Sequence, residues 1–226
     1  MSRIARITEI EYPHHVVHRG NNKQTIFFDN SDRQFYLALL ARYTMQLRCR
    51  INAYCLMDNH VHLLLVPLIE SGLSRMMQKL SLRYTQYVNK KYTRTGRLWE
   101  CRFYSSIVEK DSYLWHVSRY IERNPVRAKF VVNPNDYVWS SAGNRSLGKQ
   151  NNLSIDPIWR DENDKKGYIV FLNLPESEGE IDNIRKCLKT GKPLGKSSGF
   201  AEQIANTIGI ELPLRPKGRP RAYQRK

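Results

Sequence analysis

Short apolar runs that alternate with polar residues every second position predict four β-strands in the first half of the chain. Two of these runs are separated only by Asp58 and Asn59, a pair typical of tight turns, so we expect them to form an antiparallel hairpin. The predicted strands cover residues 12–19, 50–57, 60–66 and 98–108.

Apolar positions spaced three and four apart predict helices between these strands and after the last one. The first helix can begin at Ser31 as its cap, and a long second helix follows Gly72. A third helix is expected from 112 to about 123, with Asp111 as its cap. The order strand, helix, strand, strand, helix, strand, helix predicts an α+β fold of the ferredoxin-like, split βαβ type, with helices on an antiparallel sheet.

The second half of the chain has weaker patterns and predicts a mainly helical C-terminal extension. Its first part is rich in Asn, Asp, Ser, Gly and Pro, which favours loops. Short helical patterns then recur at 178–188 and 198–208, as in a small helix-turn-helix-like module. The predicted domains are a main domain at 1–148, a connector at 149–175, a helical module at 176–212 and a basic tail at 213–226.

The formal net charge of +16 favours a polyanionic partner, of which nucleic acid is the commonest. A solvated basic surface without a partner is the alternative. The tail at 213–226 holds six basic and no acidic side chains. Its Lys-Gly-Arg-Pro-Arg run is similar to the core of an AT-hook, a short arm that lies in A·T-rich minor grooves, and a plain basic tail is the other interpretation.

No stretch approaches the roughly 18 apolar residues that a membrane span requires, and the N-terminus has no apolar signal core. We therefore expect a cytoplasmic, nucleoid-associated protein with no membrane partner. The four cysteines lack the paired spacing of zinc or redox sites, so reduced core thiols are expected.

Two histidines within one predicted strand are the strongest chemical signal. Because strand side chains alternate, His60 and His62 stand on the same face, close enough to bind one metal ion. The alternative is a pair of core histidines that bond backbone carbonyls. Burying two adjacent imidazoles costs several kcal/mol without a partner, which favours the metal site.

The third predicted helix offers the remaining groups for such a site. Tyr120 and Asn124 are four residues apart and lie on one helix face. If that face meets the histidines, Asn124 can be a third metal ligand and Tyr120 a covalent nucleophile, whose ionisation Arg119, Arg123 or Arg127 could assist. With thirteen tyrosines in the chain, composition alone does not select Tyr120.

These motifs together resemble the REP-associated tyrosine transposases, within the single-tyrosine branch of the His-hydrophobe-His (HUH) nuclease superfamily. The resemblance spans roughly residues 10–145 and depends on four stretches. They are His15-Val16-Val17-His18-Arg19-Gly20-Asn21-Asn22, His60-Val61-His62, Gly96-Arg97-Leu98-Trp99-Glu100-Cys101-Arg102-Phe103, and Arg119-Tyr120-Ile121-Glu122-Arg123-Asn124-Pro125-Val126-Arg127-Ala128.

The resemblance implies a ferredoxin-like nuclease domain at 1–148 that cleaves and rejoins single-stranded DNA at hairpin-forming repeats. Tyr120 would be the nucleophile of a 5′-phosphotyrosine intermediate, and His60, His62 and Asn124 would bind Mg²⁺ or Mn²⁺. The protein would act as a monomer or a homodimer. Candidate DNA-binding residues are Arg19, Arg83, Arg97, Arg102, Arg119, Arg123, Arg127, Lys217, Arg219 and Arg221.

Two other functions fit the same residues. A DNA-hairpin-binding protein with a vestigial site would bind without cleaving, and a metal hydrolase with a water nucleophile would cleave without a covalent adduct.

Overall fold

The computed structural model describes residues 7–110, 113–143, 153–196 and 199–209. In this part of the chain four strands form one sheet in the order β2-β3-β1-β4, and all neighbouring strands are antiparallel. This is the predicted α+β arrangement of the ferredoxin-like type. The strands are β1 (His14–Arg19), β2 (Cys49–Met57), β3 (His60–Pro67) and β4 (Tyr104–Ile107).

The β2–β3 hairpin turns at Asp58 and Asn59, as the sequence predicts, and pairs Met57 with His60. A register shift between Ile51 and Ala53 interrupts the β2–β3 pairing near its far end. Alternation along β3 then divides its side chains between two cores. Val61, Leu63 and Leu65 belong to the larger core, whereas Leu64 belongs to a second core on the other face.

Helices α1 (Asn30–Gln46) and α2 (Gly72–Lys91) cover the face of the larger core. The cap of α1 is Asp29 and not Ser31, so that prediction is wrong by two residues. The Asp29 carboxylate accepts from the Asp32 backbone N–H and the Asp32 carboxylate accepts from that of Asp29, at 3.0 and 3.2 Å. This reciprocal capping box satisfies two backbone N–H groups at the start of α1, a role that Ser31 does not have here.

The fourth strand is shorter than predicted, because residues 98–103 are irregular. Trp99 forms an isolated bridge with Gly20, and its ring stacks on His18 at a centroid distance of 3.9 Å. Trp99 and Phe103 are 8% and 7% exposed, so both rings are core residues and not stacking platforms for bases.

The opposite face of the sheet carries α3 (Leu114–Glu122) and the short α4 (Asn124–Arg127). Arg123 separates the two, which confirms the predicted break before Pro125. Val117, Tyr120 and Ile121 pack in the second core. The predicted cap Asp111 lies outside the described residues.

The prediction of loops is wrong over Glu162–Asn173, which is a helix, α5. Asp161 caps it by accepting from the backbone N–H groups of Asn163 and Asp164, and Tyr168 and Leu172 are buried. Polar composition concealed this short amphipathic pattern. The helices α6 (Glu178–Thr190) and α7 (Phe200–Ile208) confirm the two predicted helical stretches, and 3-10 helices occupy Asn21–Lys23 and Pro134–Asp136.

Candidate active site

The structure brings His60, His62 and Tyr120 together between the sheet and α3. The ring centroids of His60 and His62 are 5.0 Å apart, and those of His62 and Tyr120 are 5.7 Å apart with the rings edge to face. Strand alternation turns both imidazoles towards α3, and the helical period turns Tyr120 towards the strand. The proximity of the two histidines to Tyr120 that the sequence predicts is therefore present within one chain.

Hydrogen bonds at Nδ1 orient both histidines. The His60 Nδ1 atom lies 2.6 Å from the Asn59 side-chain oxygen, which can only accept, so Nδ1 is the donor. A neutral His60 then has its lone pair on Nε2. The His62 Nδ1 atom lies 2.9 Å from Nε2 of His15. His60 thus keeps Nε2 as the nitrogen for a metal ion, an arrangement typical of histidine ligands, and the hydrogen bond of His62 also leaves its Nε2 atom outside the contact with His15.

His15 is a site residue that the sequence prediction missed. It is fully buried, stacks on His62 at a centroid distance of 5.2 Å, and contacts the Tyr120 ring edge at 5.6 Å. Alternation along β1 places His15 on the α3 face, and antiparallel pairing of β1 with β3 brings it diagonally opposite His62. Strand pairing was the signal that could have revealed it.

Asn124 is the first residue of α4, and its side-chain amide lies against the last turn of α3, the helix that holds Tyr120. Its Nδ2 donates to the carbonyls of Tyr120 and Ile121, at 3.0 and 3.3 Å, which leaves Oδ1 as the atom available to an ion. In the described ranges no group of three or more His, Cys, Asp or Glu side chains is placed to bind a metal. Two imidazoles and one amide oxygen are ligand types that a divalent ion with open positions accepts.

The Tyr120 ring is held by contacts that do not involve its hydroxyl. The Arg127 guanidinium lies 4.2 Å from the ring centroid and donates to the Tyr120 carbonyl. The ring is 4% exposed, and within the described part of the chain the hydroxyl makes no hydrogen bond.

The arginines near Tyr120 contact acidic residues of the C-terminal half. Arg119 binds Glu180 at 2.6 Å and stacks on a phenylalanine, and it is 4% exposed. Arg123 and Arg127 share Glu176, at 3.4 and 2.6 Å. These contacts favour a structural role for the three arginines over the predicted contact with DNA.

Four other predicted DNA-binding arginines are exposed. Arg19 stands opposite His60 in the β1–β3 register, at the edge of the candidate site. Arg97 and Arg102 lie on either side of Trp99, whose bridge to Gly20 attaches this loop to the same end of the sheet. Arg83 is on α2, across the sheet. The predicted Lys217, Arg219 and Arg221 lie outside the described residues.

Burial keeps the site histidines neutral at neutral pH, which is the form that binds metal. Desolvation lowers the pKa of His60 to about 4, with a smaller contribution from Arg19. It lowers the pKa of His15 to about 3, and Arg127 adds to the effect. The pKa of His62 is well below its ordinary value, mainly through burial and then through the neighbouring His60 and His15.

We expect the metal-free protein to lose stability as the pH falls from 7 to 5. Folded pKa values of about 4 for His14 and His60, and about 3 for His15, lie below the ordinary value of 6.5, so the unfolded chain binds more protons. Each histidine should lower the free energy of unfolding by about 1–2 kcal/mol between pH 7 and pH 5. Urea unfolding in the presence of a chelator measures the effect. His14→Phe should reduce the pH slope by about one proton, and equal stability at pH 7 and 5 would contradict the expectation.

A family model described as IS200-like transposase matches residues 8–124, just over half of the chain. The match includes both histidines, Tyr120 and Asn124. A comparison with curated proteins gives no match. None of the described helices combines the length and apolar character needed to cross a membrane.

Solved structures similar to the chain include the following two. One is a REP-associated tyrosine transposase bound to a REP hairpin, with a TM-score of 0.57 and 16% identity, covering 71% of this chain and 95% of that one. This likeness shows a shared fold. The other, from Deinococcus radiodurans and provisionally assigned as a transposase, has a TM-score of 0.37 and 16% identity, covering 57% of this chain and 92% of that one.

Proposed function

The chain belongs to the IS200-like transposase family, and we propose that it cleaves and rejoins single-stranded DNA at hairpin-forming repeats through a 5′-phosphotyrosine intermediate. As a family member it is a DNA-processing enzyme. The observation that carries the proposal is the contact of Tyr120 with His62, because it unites a candidate nucleophile with a candidate metal ligand in one site.

In the proposed reaction the Tyr120 hydroxyl oxygen attacks the phosphorus of a phosphodiester in line with the 3′-oxygen. The oxygen–phosphorus bond to tyrosine forms while the bond from phosphorus to the 3′-oxygen breaks. The phenol proton passes to solvent, and the leaving 3′-oxygen takes up a proton to give a free 3′-hydroxyl. The covalent link conserves the phosphodiester energy, so a second 3′-hydroxyl can reverse the step and rejoin strands.

A divalent ion, Mg²⁺ or Mn²⁺, would lower the charge on a phosphate oxygen when bound. His60 and His62 would hold it through Nε2 and Asn124 through Oδ1. Tyr120 contacts His62 of its own chain, which supports action in cis. Arg19 provides an exposed cation beside the site, where it would bind a DNA phosphate, and the exposed Arg97 and Arg102 would bind phosphates further along the strand.

The substrate class comes from the structural relative, which was solved with a REP hairpin. We propose a DNA hairpin with a single-stranded flank as the substrate here, since the shared fold offers the same sheet and helices. The excess of positive charge supports a polyanionic partner and predicts binding that weakens with salt.

The test uses a pool of hairpin-bearing single strands with randomised flanks, labelled at either end and incubated with protein and Mg²⁺. On denaturing gels the 3′-label should shift to the protein band, whereas the 5′-label should appear on a free fragment ending in a 3′-hydroxyl. A chelator should prevent both. Release of both labels without an adduct would indicate a water nucleophile, and binding without cleavage would indicate a DNA-binding protein.

A further inference from the structure

We propose that His15 is a positioning residue that accepts the Nδ1 proton of His62 and so keeps the Nε2 lone pair of His62 available to the divalent ion. The inference rests on the proposed function, since the ion is part of it. It assigns a role to a side chain that is neither a predicted ligand nor the nucleophile.

The contact between the two rings is direct and enclosed. His15 Nε2 and His62 Nδ1 are 2.9 Å apart, and the rings are nearly parallel, with 22° between their planes. The two residues are 0% and 2% exposed, so bulk water does not compete for this hydrogen bond. Neutral imidazole carries one proton, and therefore one ring must donate while the other accepts.

Only one of the two proton arrangements is compatible with a metal ligand at His62. If His62 donates from Nδ1, its Nε2 carries a lone pair. If His15 donates instead, the proton of His62 is on Nε2 and blocks that nitrogen. His15 Nδ1 is buried and makes no hydrogen bond within the described residues in either case. Among the described residues, His15 Nδ1 is thus the unpaired atom in both arrangements. An ion bound to His62 Nε2 therefore favours the arrangement in which His62 donates from Nδ1.

The other histidines of β1 show why His15 differs from a core residue. His14 bonds the carbonyl of Tyr12 through Nδ1, and His18 bonds the carbonyl of Cys101 through Nε2. Backbone carbonyls satisfy those two rings, as in ordinary buried histidines. His15 instead makes its hydrogen bond to His62 and also contacts the edge of the Tyr120 ring, so it touches both functional side chains.

Isothermal titration with Mn²⁺ alone, without DNA, tests the proposal on the full chain. His15→Phe keeps an aromatic ring beside Tyr120 but removes the acceptor, so Mn²⁺ affinity should fall about 10–100-fold. His15→Gln offers a side-chain oxygen in place of Nε2 and should restore affinity close to wild type. The matched control His14→Phe, equally buried on the same strand, should leave affinity unchanged.

Nitrogen-15 NMR of the imidazoles gives a second readout that does not depend on any variant folding. In the Mg²⁺-loaded wild type, His62 should be the Nδ1–H tautomer. An Nε2–H tautomer, or unchanged Mn²⁺ affinity in His15→Phe, would overturn the proposal alone. If wild type and His62→Ala bind Mn²⁺ equally, the metal role in the proposed function fails, and this inference fails with it.

Discussion

Replacing Tyr120 with phenylalanine should abolish the covalent protein–DNA adduct, with a loss on the order of 10³-fold or more in cleavage. The hydroxyl oxygen is the proposed attacking atom, and phenylalanine lacks it. The variant should fold normally, because the contacts of Tyr120 with His62, His15 and Arg127 involve its ring and its backbone carbonyl. Hairpin affinity should therefore remain near that of wild type.

Tyr43→Phe is the matched control for this experiment. Tyr43 is 5% exposed, in the larger core on the opposite face of the sheet. Its variant should form the adduct at the wild-type rate. An adduct that persists in Tyr120→Phe and disappears in Tyr43→Phe would place the nucleophile elsewhere and refute the assignment of the site.

Glu176→Gln should lower the free energy of unfolding by about 2–4 kcal/mol. The Glu176 side chain is 2% exposed and accepts from Arg127 at 2.6 Å, with Arg123 at 3.4 Å. A neutral amide leaves two largely buried guanidinium groups without a compensating charge. Since Arg127 also packs on the Tyr120 ring, we expect the change to lower adduct yield as well as stability.

Chemical denaturation followed by tryptophan fluorescence measures the first effect. Glu178→Gln is the control, because Glu178 is exposed in the first turn of α6 and its substitution should change stability by less than about 0.5 kcal/mol. Equal stabilities for the two variants would mean that the Glu176 pair is no more than a surface contact.

The parts of the fold that depend on local pattern were predictable from the sequence. Alternation along 60–66 gave the hairpin and the shared face of His60 and His62, and the helical pattern of 112–123 gave the helix that turns Tyr120 towards His62. Both follow from the backbone periods of strand and helix, which neighbouring residues determine. The family resemblance then selected one tyrosine out of thirteen, which spacing alone could not do.

The parts that depend on distant partners were not predictable in this way. The acidic residues Glu176 and Glu180 are ordinary surface charges by pattern, and only the packing of the C-terminal half against α3 makes them partners of the arginines there. The contact of His15 with His62 likewise requires knowledge of strand pairing. Local patterns of charge and hydropathy do not specify which distant segments of the chain pack against each other.

The β2–β3 hairpin, which carries the two histidines, restricts where the chain can gain or lose residues during evolution. Strand faces reverse with every residue of register, so a change in the length of the turn at Asp58 and Asn59 that shifts β3 by one residue would turn both imidazoles into the larger core. Such a change would remove both candidate metal ligands from the site at a single step. Length variation among descendants of this protein should consequently avoid that turn and accumulate in loops remote from it.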